Sequence, residues 1–250
     1  MKPSFLIALC LTLFTVPLRA SGQAIAGSSF YEKAQQATSN GKSFTSVNFT
    51  ATAEWIAGSL HESGTATLQA KIDGSTNVQL DLGHASRNET QSSANASRTC
   101  TWTDAAGISH SIVGPNCLIA IPWFAPALFA QSSPQLPSML AATDDGEMSR
   151  ASRTLHQFSY RLKFSEPDST DVDRLTSMST VKVLYDPQTA LPASLEYFIH
   201  PDNNDLQNLP VQIVFSGYQP ISGIMLPFHI ERYVNRTLQL TLDITNVSIE

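Results

Sequence analysis

The chain has 250 residues, of which 42% are hydrophobic and only 14% are charged, and its formal net charge is −6. Because charged residues make up roughly 25% of an average globular protein, this composition excludes a disordered polyelectrolyte and a coiled coil. The negative balance and the lack of a Lys or Arg cluster exclude a nucleic-acid groove, since phosphate binding needs clustered positive charge. The sequence shows no internal repeat and no break in composition, so we expect a single domain after the N-terminal segment.

Residues 1–24 have the three-part layout of a secretory signal peptide. Lys2 precedes an apolar run over residues 5–18, and small residues follow that run. The run is shorter than the roughly 20 residues that a membrane-spanning helix needs. We therefore expect cleavage after Ala24 or Ala26, and a mature chain in the periplasm or outside the cell without a stable membrane anchor.

The next segment, SSFYEKAQQAT, predicts a short helix. Ser28 or Ser29 can cap its N-terminus, and Glu32 then lies in the first turn, where negative charge is favourable. Asn40 and Gly41 can adopt the left-handed conformation that ends many helices.

Most of the remaining chain alternates apolar and polar residues, which is typical of strands with one buried and one solvated face. A three-residue loop at residues 72–74 would set Leu68 opposite Val78 and Ala66 opposite Leu80, so that apolar residues share a face. Such strands favour an antiparallel meander over a parallel α/β sheet. The sequence therefore predicts a mainly β protein with some helix, of the α+β class.

Four stretches depart from this alternation. Residues 83–98 are small and polar without a period, so we expect a mobile loop there, and residues 141–153 and 165–176 are expected to be polar connectors. Residues 121–140 are instead apolar and rich in proline. Pro126 indicates that a helix begins or kinks at that position.

Two cysteines, Cys100 and Cys117, remain after the signal peptide. In an oxidising compartment we expect them to form a disulfide bond, and the 17-residue separation corresponds to about 3 kcal/mol in the chain-entropy model. The sequence between them predicts a hairpin that sets Trp102 opposite His110, followed by a segment that folds back. The alternative is two free thiols in a metal or redox role, which the missing C-x-x-C spacing disfavours.

Turn motifs in the last third of the chain carry a family resemblance. A D-x-x-T-x-L-P pattern follows one strand, and a tyrosine followed by a G-x-x-L-P step precedes another. The residues at these positions are Asp186, Thr189, Leu191, Pro192, Tyr218, Gly223, Leu226 and Pro227. The pattern over residues 181–250 resembles that of the periplasmic lipoprotein-carrier (LolA-like) half-barrel superfamily. The resemblance implies an open, curved antiparallel sheet over residues 25–250, with short helices covering its concave face.

The resemblance also implies a function. In carriers of that superfamily an apolar cavity holds the acyl chains of lipoproteins or lipids, and relatives act as sensor domains. We therefore expect an exported, non-enzymatic protein that binds an acyl chain, a lipid or a lipoprotein. The alternative is an envelope sensor or scaffold domain that acts through contacts with a protein partner.

The apolar segment at 121–140 supplies the candidate ligand-binding residues. These are Trp123, Phe124, Leu128 and Phe129. On a helix beside a curved sheet they would line the cavity mouth or form its lid, since apolar ligands need apolar walls. The alternative is that they fill the half-barrel as its core.

The sequence offers no catalytic residue, metal site or cofactor motif. No histidine stands at ligand spacing from another His or from a Cys, which disfavours zinc. The acidic run at 166–173 lacks the glycine and the terminal glutamate of a calcium loop. Neither G-x-S-x-G nor S-x-x-K occurs, so a hydrolase is disfavoured.

Overall fold

The computed structural model describes residues 23–24, 28–94, 97–112, 114–131, 140–150, 152–164, 170–201, 203–204 and 206–250. Nearly all of the predicted signal peptide lies outside these ranges. Among the described residues, no helix combines the length and the apolar character needed to cross a bilayer.

The described residues form sixteen strands and a few short helices. The α-helices are α1 (Ser29–Ser39), α2 (Gly114–Cys117) and α3 (Thr170–Ser179), and short 3-10 helices span Gly83–Ala85 and Pro126–Phe129. The first eight strands are β1 (Gln23–Ala24), β2 (Ser46–Ala57), β3 (Leu60–Lys71), β4 (Thr76–Asp81), β5 (Arg87–Ala94), β6 (Ser97–Thr103), β7 (Ser109–Ser111) and β8 (Leu140–Arg150). The other eight are β9 (Arg153–Leu162), β10 (Val181–Tyr185), β11 (Pro192–Ile199), β12 (Leu209–Ser216), β13 (Gln219–Ile221), β14 (Ile224–Leu226), β15 (His229–Val234) and β16 (Thr237–Ile249).

Fourteen of these strands form one antiparallel sheet, and β13 and β14 form a separate hairpin. The order across the large sheet is β1-β8-β9-β10-β11-β12-β15-β16-β2-β3-β4-β5-β6-β7. The sheet is curved and does not close, so β1 and β7 remain at opposite edges of an open half-barrel. The mainly β fold class with an open half-barrel is therefore confirmed.

The β3–β4 hairpin has the predicted register. Leu68 pairs with Val78 and Ala66 pairs with Leu80, and all four side chains are buried. Gly74 has a φ of +89°, a left-handed conformation that glycine adopts without strain. The alternation of apolar residues fixes this register, because a slip by one residue would turn every apolar side chain to solvent.

Helix α1 also begins and ends as predicted. The Ser28 hydroxyl accepts a hydrogen bond from the Tyr31 amide, and Asn40 ends the helix with a φ of +48°. Tyr31 and Ala34 are buried in the same core as the inward-facing strand residues. The helix therefore packs on the concave face of the sheet.

The turn after β10 contains the D-x-x-T-x-L-P pattern, and the aspartate of that pattern stabilises the turn. The Asp186 carboxylate accepts hydrogen bonds from the amides of Gln188 and Thr189, at 2.9 and 3.1 Å. The bond from Thr189 is the largest of the interactions that hold the pKa of Asp186 below its usual value. Ala190 then takes a left-handed conformation before the chain enters β11.

The polar stretches are more regular than the sequence predicts. The expected loop at 83–98 contains strand β5 and the start of β6. The expected connector at 141–153 contains most of β8. The expected connector at 165–176 is partly covered by α3. These three predictions were wrong for one physical reason. A strand or short helix with few buried apolar side chains forms through backbone hydrogen bonds and leaves no hydrophobic period.

Residues 121–131 of the apolar segment are buried rather than regularly helical. Pro126 begins a four-residue 3-10 helix, and residues 132–139 lie outside the described ranges. Every residue from Ala120 to Gln131 is buried against the concave face. A segment that is apolar on all sides needs no regular periodicity when the core surrounds it.

Candidate ligand-binding cavity

A cavity of about 360 Å³ lies on the concave side of the sheet, next to the buried segment. Strands β4 to β7 form one side of it, and β11, β15 and β16 contribute to the other. Its apolar lining includes Val78, Ile112, Ile119 and Ile199. The volume falls within the range of small-molecule sites, roughly 300–1,000 Å³.

All three tryptophans of the chain border this cavity. Trp55 comes from β2, Trp102 from β6 and Trp123 from the buried segment. Trp55 and Trp102 are half-buried, and Trp123 is 9% exposed. Large rigid rings with apolar faces supply much contact area to a ligand. Their convergence on one space makes this cavity the candidate functional site.

The orientation of Trp102 is set by the β6–β7 hairpin. Trp102 pairs with His110 across the ladder, as the sequence predicts, and their rings stack with centroids 4.3 Å apart. The His110 ring nitrogen Nε2 lies 3.1 Å from Asp104 Oδ2. The pKa of Asp104 is lowered first by a hydrogen bond from the Ile108 amide and then by the bond to His110. The turn and the histidine together hold the indole in place.

Next to this hairpin, the cavity is bordered by a disulfide-bonded cysteine and by a side chain that bridges two elements. Cys100 and Cys117 are joined, with Cα atoms 5.7 Å apart, and the return of the chain between them is helix α2. The Asn116 side chain donates to the His200 carbonyl at 2.9 Å and accepts from the His200 amide at 2.7 Å. These bonds connect the cavity wall at β6 to the end of β11.

The buried segment that carries Trp123 is anchored on both sides. Arg98 donates to the carbonyl oxygens of Ile119 and Ala120, and burial lowers its pKa to about 10. At the other side, Gln131 donates to the Phe44 carbonyl and accepts from the Phe44 amide. Neither anchor was predictable from the sequence, because an Arg or a Gln in isolation carries no signal of the backbone it will contact.

Three charged residues border the cavity in the part of the chain that the structure describes. The Arg87 guanidinium lies 2.8 Å from the Glu89 carboxylate and 4.7 Å from the centroid of Trp102. The Arg232 guanidinium lies 5.5 Å from the centroid of Trp123. Burial raises the pKa of Tyr197, while the charge of Arg232 lowers it and the charge of Glu89 raises it.

The four predicted ligand-binding residues separate into two positions. Trp123 borders the cavity, whereas Phe124, Leu128 and Phe129 lie behind it in the buried core. The Phe124 ring packs edge-on against Trp123, with centroids 5.2 Å apart. The structure thus brings one of the four to the cavity, and the binding role of all four stays a prediction.

A Ser–Asp–His group elsewhere in the fold lacks the arrangement of a hydrolase. The Ser28 hydroxyl donates to Asp144, and His156 Nε2 lies 2.7 Å from the same carboxylate. Burial would raise the pKa of Asp144, but bonds from Ser28, the Gly146 amide and His156 lower it overall. The carboxylate separates the hydroxyl from the imidazole, so the histidine is not positioned to activate the serine.

The described ranges contain no group of three or more His, Cys, Asp or Glu side chains that could hold a metal ion.

Three solved structures share this fold over most of their length. A domain described as an outer membrane lipoprotein-sorting protein, from Vibrio parahaemolyticus, gives a TM-score of 0.53 at 8% identity, covering 91% of this chain and 92% of that one. A DUF1329 family protein from Desulfovibrio piger gives 0.52 at 10% identity, covering 91% and 94%. A LolA superfamily protein from Nitrosomonas europaea gives 0.51 at 10% identity, covering 89% and 92%.

The fold of this chain is therefore that of the LolA-like half-barrel proteins, as the turn motifs implied. Identity of 8–10% shows the fold alone. No protein-family model and no curated protein matches the sequence.

Proposed function

We propose that this protein binds the hydrocarbon part of a lipid or lipoprotein in the tryptophan-lined cavity, without chemical conversion. The observation that carries this proposal is the convergence of all three tryptophans on one cavity of about 360 Å³ in the concave face. A structural neighbour described as a lipoprotein-sorting domain supports the same class of ligand.

The affinity comes from removing hydrocarbon from water. Each buried methylene contributes roughly 0.8 kcal/mol, so about six of them contribute roughly 5 kcal/mol before the cost of association. Trp123 forms the wall between the ligand and the core. Behind that wall, the core of the half-barrel is filled by Phe124, Leu128 and Phe129.

The proposal includes export of the chain by the N-terminal signal peptide to the periplasm or the exterior. The Cys100–Cys117 disulfide supports this, because disulfides persist in oxidising compartments. A periplasmic site would also place the protein beside its lipid or lipoprotein ligands.

Titration of the mature chain with the neutral apolar probe N-phenyl-1-naphthylamine tests the proposal. Binding is expected to saturate and to quench tryptophan emission, since every tryptophan borders the cavity. Trp102→Ala is expected to weaken probe binding at least about fivefold, because it removes a large apolar wall. Phe198→Ala is the matched control, since Phe198 is an aromatic residue 45% exposed and outside the cavity lining.

Circular dichroism establishes that each variant is folded. A folded protein that binds neither the probe nor any lipid recovered by native extraction and mass spectrometry would overturn the proposal. That result would favour the envelope sensor or scaffold alternative.

A further inference from the structure

We propose that Arg232 makes the cavity selective for amphiphiles with a negatively charged headgroup, a carboxylate or a phosphate monoester. This inference rests on the proposed function, because it assigns the polar end of a ligand whose hydrocarbon end the tryptophans hold.

Arg232 occupies an inward position of the sheet whose immediate neighbours are apolar. It lies on β15 two residues after buried Ile230, and its ladder partners are Ile213 on β12 and Leu240 on β16. These three neighbours are at most 1% exposed. Arg232 itself is half-buried and borders the cavity, and these hydrocarbon neighbours supply no counter-charge to it.

The described part of the chain provides no such counter-charge. The carboxylate in the cavity, Glu89, is engaged by Arg87 at 2.8 Å, and no described carboxylate lies within 4 Å of Arg232. The Nε atom of Arg232 is buried without a hydrogen-bond partner. The cavity therefore holds one positive charge in excess, and an anionic headgroup would balance it.

The geometry of the guanidinium fits this role. Its position 5.5 Å from the Trp123 centroid allows a cation–π contact that orients the group beside the apolar wall. The planar fork of N–H donors matches two oxygens of a carboxylate or phosphate. The headgroup would then lie at Arg232 and the hydrocarbon would extend along the tryptophans.

Substitution of Glu89 should change the affinity for anions in the direction opposite to substitution of Arg232. Glu89→Gln removes the carboxylate that faces the cavity and leaves Arg87 without its ion pair. The excess charge of the cavity then rises from one to two. Anion binding should strengthen, which a variant with a damaged fold would not imitate.

The experiment compares ligands that share a ten-carbon chain, at pH 7.5 and below their micelle concentrations. Decanoate and decyl phosphate carry anionic heads, 1-decanol is neutral, decyltrimethylammonium is cationic, and inorganic phosphate is the headgroup alone. Binding is followed by tryptophan fluorescence and calorimetry. The two anions are expected to bind at least about tenfold more tightly than decanol, as expected for a hydrogen-bonded charge pair.

Arg232→Gln is expected to reduce decanoate affinity to that of decanol and to leave decanol binding unchanged. Glu89→Gln is expected to tighten decanoate binding. Arg150→Gln should change neither the affinity for decanoate nor the affinity for decanol, since Arg150 is 47% exposed and outside the cavity lining.

Each other outcome overturns the inference in a distinguishable way. Equal affinities for decanoate and decanol, or no effect of either cavity variant, would remove the headgroup site and leave the proposed function standing. Phosphate binding as tight as that of decyl phosphate would indicate a free-anion site. Failure of all ten-carbon ligands to bind a folded protein would reject the proposed function itself.

Discussion

The Tyr218 hydroxyl donates a hydrogen bond of 2.6 Å to the carbonyl of Pro192. This bond joins the two motifs on which the family resemblance rests, because Pro192 ends the first turn pattern and Tyr218 begins the second. Burial raises the pKa of Tyr218 well above its ordinary value, so the hydroxyl stays protonated as a donor. The spacing of the motifs thus reflects a tertiary contact between β11 and the chain after β12.

Replacing Tyr218 by phenylalanine should therefore destabilise the fold by about 1–2 kcal/mol, because the Pro192 carbonyl loses its donor. Urea denaturation gives the free energy of unfolding. Tyr233→Phe is the control, since the Tyr233 hydroxyl donates to the partly exposed Glu231 carboxylate, and its loss should cost less than about 0.5 kcal/mol. Equal stability of Tyr218→Phe and the wild type would show that the contact contributes nothing.

The disulfide between Cys100 and Cys117 is expected to contribute about 3 kcal/mol, from the entropy of a 17-residue loop in the unfolded chain. Replacing both cysteines by serine should lower the unfolding free energy by about that amount. Since Cys100 borders the cavity, ligand affinity should fall as well. Denaturation of the wild type with and without a reducing agent provides the second measurement, and a stability that does not respond to reduction would contradict the prediction.

Two neighbouring aromatic residues should respond differently to substitution. Phe124 is fully buried, so Phe124→Ala should cost about 3–5 kcal/mol in stability. Trp123→Phe keeps a ring at the cavity wall and should cost less than about 1.5 kcal/mol, but it should weaken binding of the apolar probe. Thermal unfolding and probe titration on both variants separate the two roles. A large loss of stability in Trp123→Phe would assign Trp123 to the core.

Stability should depend on the ionisation of His229. The hydrogen bond to Asp243, at 2.7 Å, is the main cause that raises the pKa of His229, and the charges of Asp243 and Glu231 add to it. A raised folded-state pKa stabilises the fold below the unfolded value of about 6.5, and the effect is lost as pH rises through the folded value.

The difference in unfolding free energy between the wild type and His229→Asn should thus be largest near pH 5.5 and shrink toward pH 8.5. Denaturation across this range measures it. His61→Asn is the control, because His61 is 60% exposed and lies 3.9 Å from Glu54. A difference that grows with pH would have the wrong sign for this interaction.

Registers and caps were predictable from the sequence because local chemistry determines them. Apolar alternation together with a three-residue loop predicted Leu68 opposite Val78, and capping predicted that α1 begins after Ser28 or Ser29, of which Ser28 is the cap. The hairpin that pairs Trp102 with His110 was predictable for the same reason. These features depend on residues that are close in the chain.

Strand β5 was missed because its inward positions are Arg87, Glu89 and Gln91. Polar residues at these positions remove the period by which a strand is recognised. Arg232 likewise interrupts an apolar pattern, because its ladder partners Ile213 and Leu240 are both apolar. The sequence pattern therefore failed at the candidate site, where polar residues occupy inward positions of the sheet.

The position of β16 has a consequence for how the molecule forms. This strand lies between β15 and β2, so it joins a half built from β8 to β15 with a half built from β2 to β7. The two halves cannot form one continuous sheet until the segment Thr237–Ile249, the last strand of the sheet in chain order, pairs with both of them. Contacts this distant along the chain slow folding. The continuous sheet is therefore expected to form late in folding, after each half has made its own local hairpins.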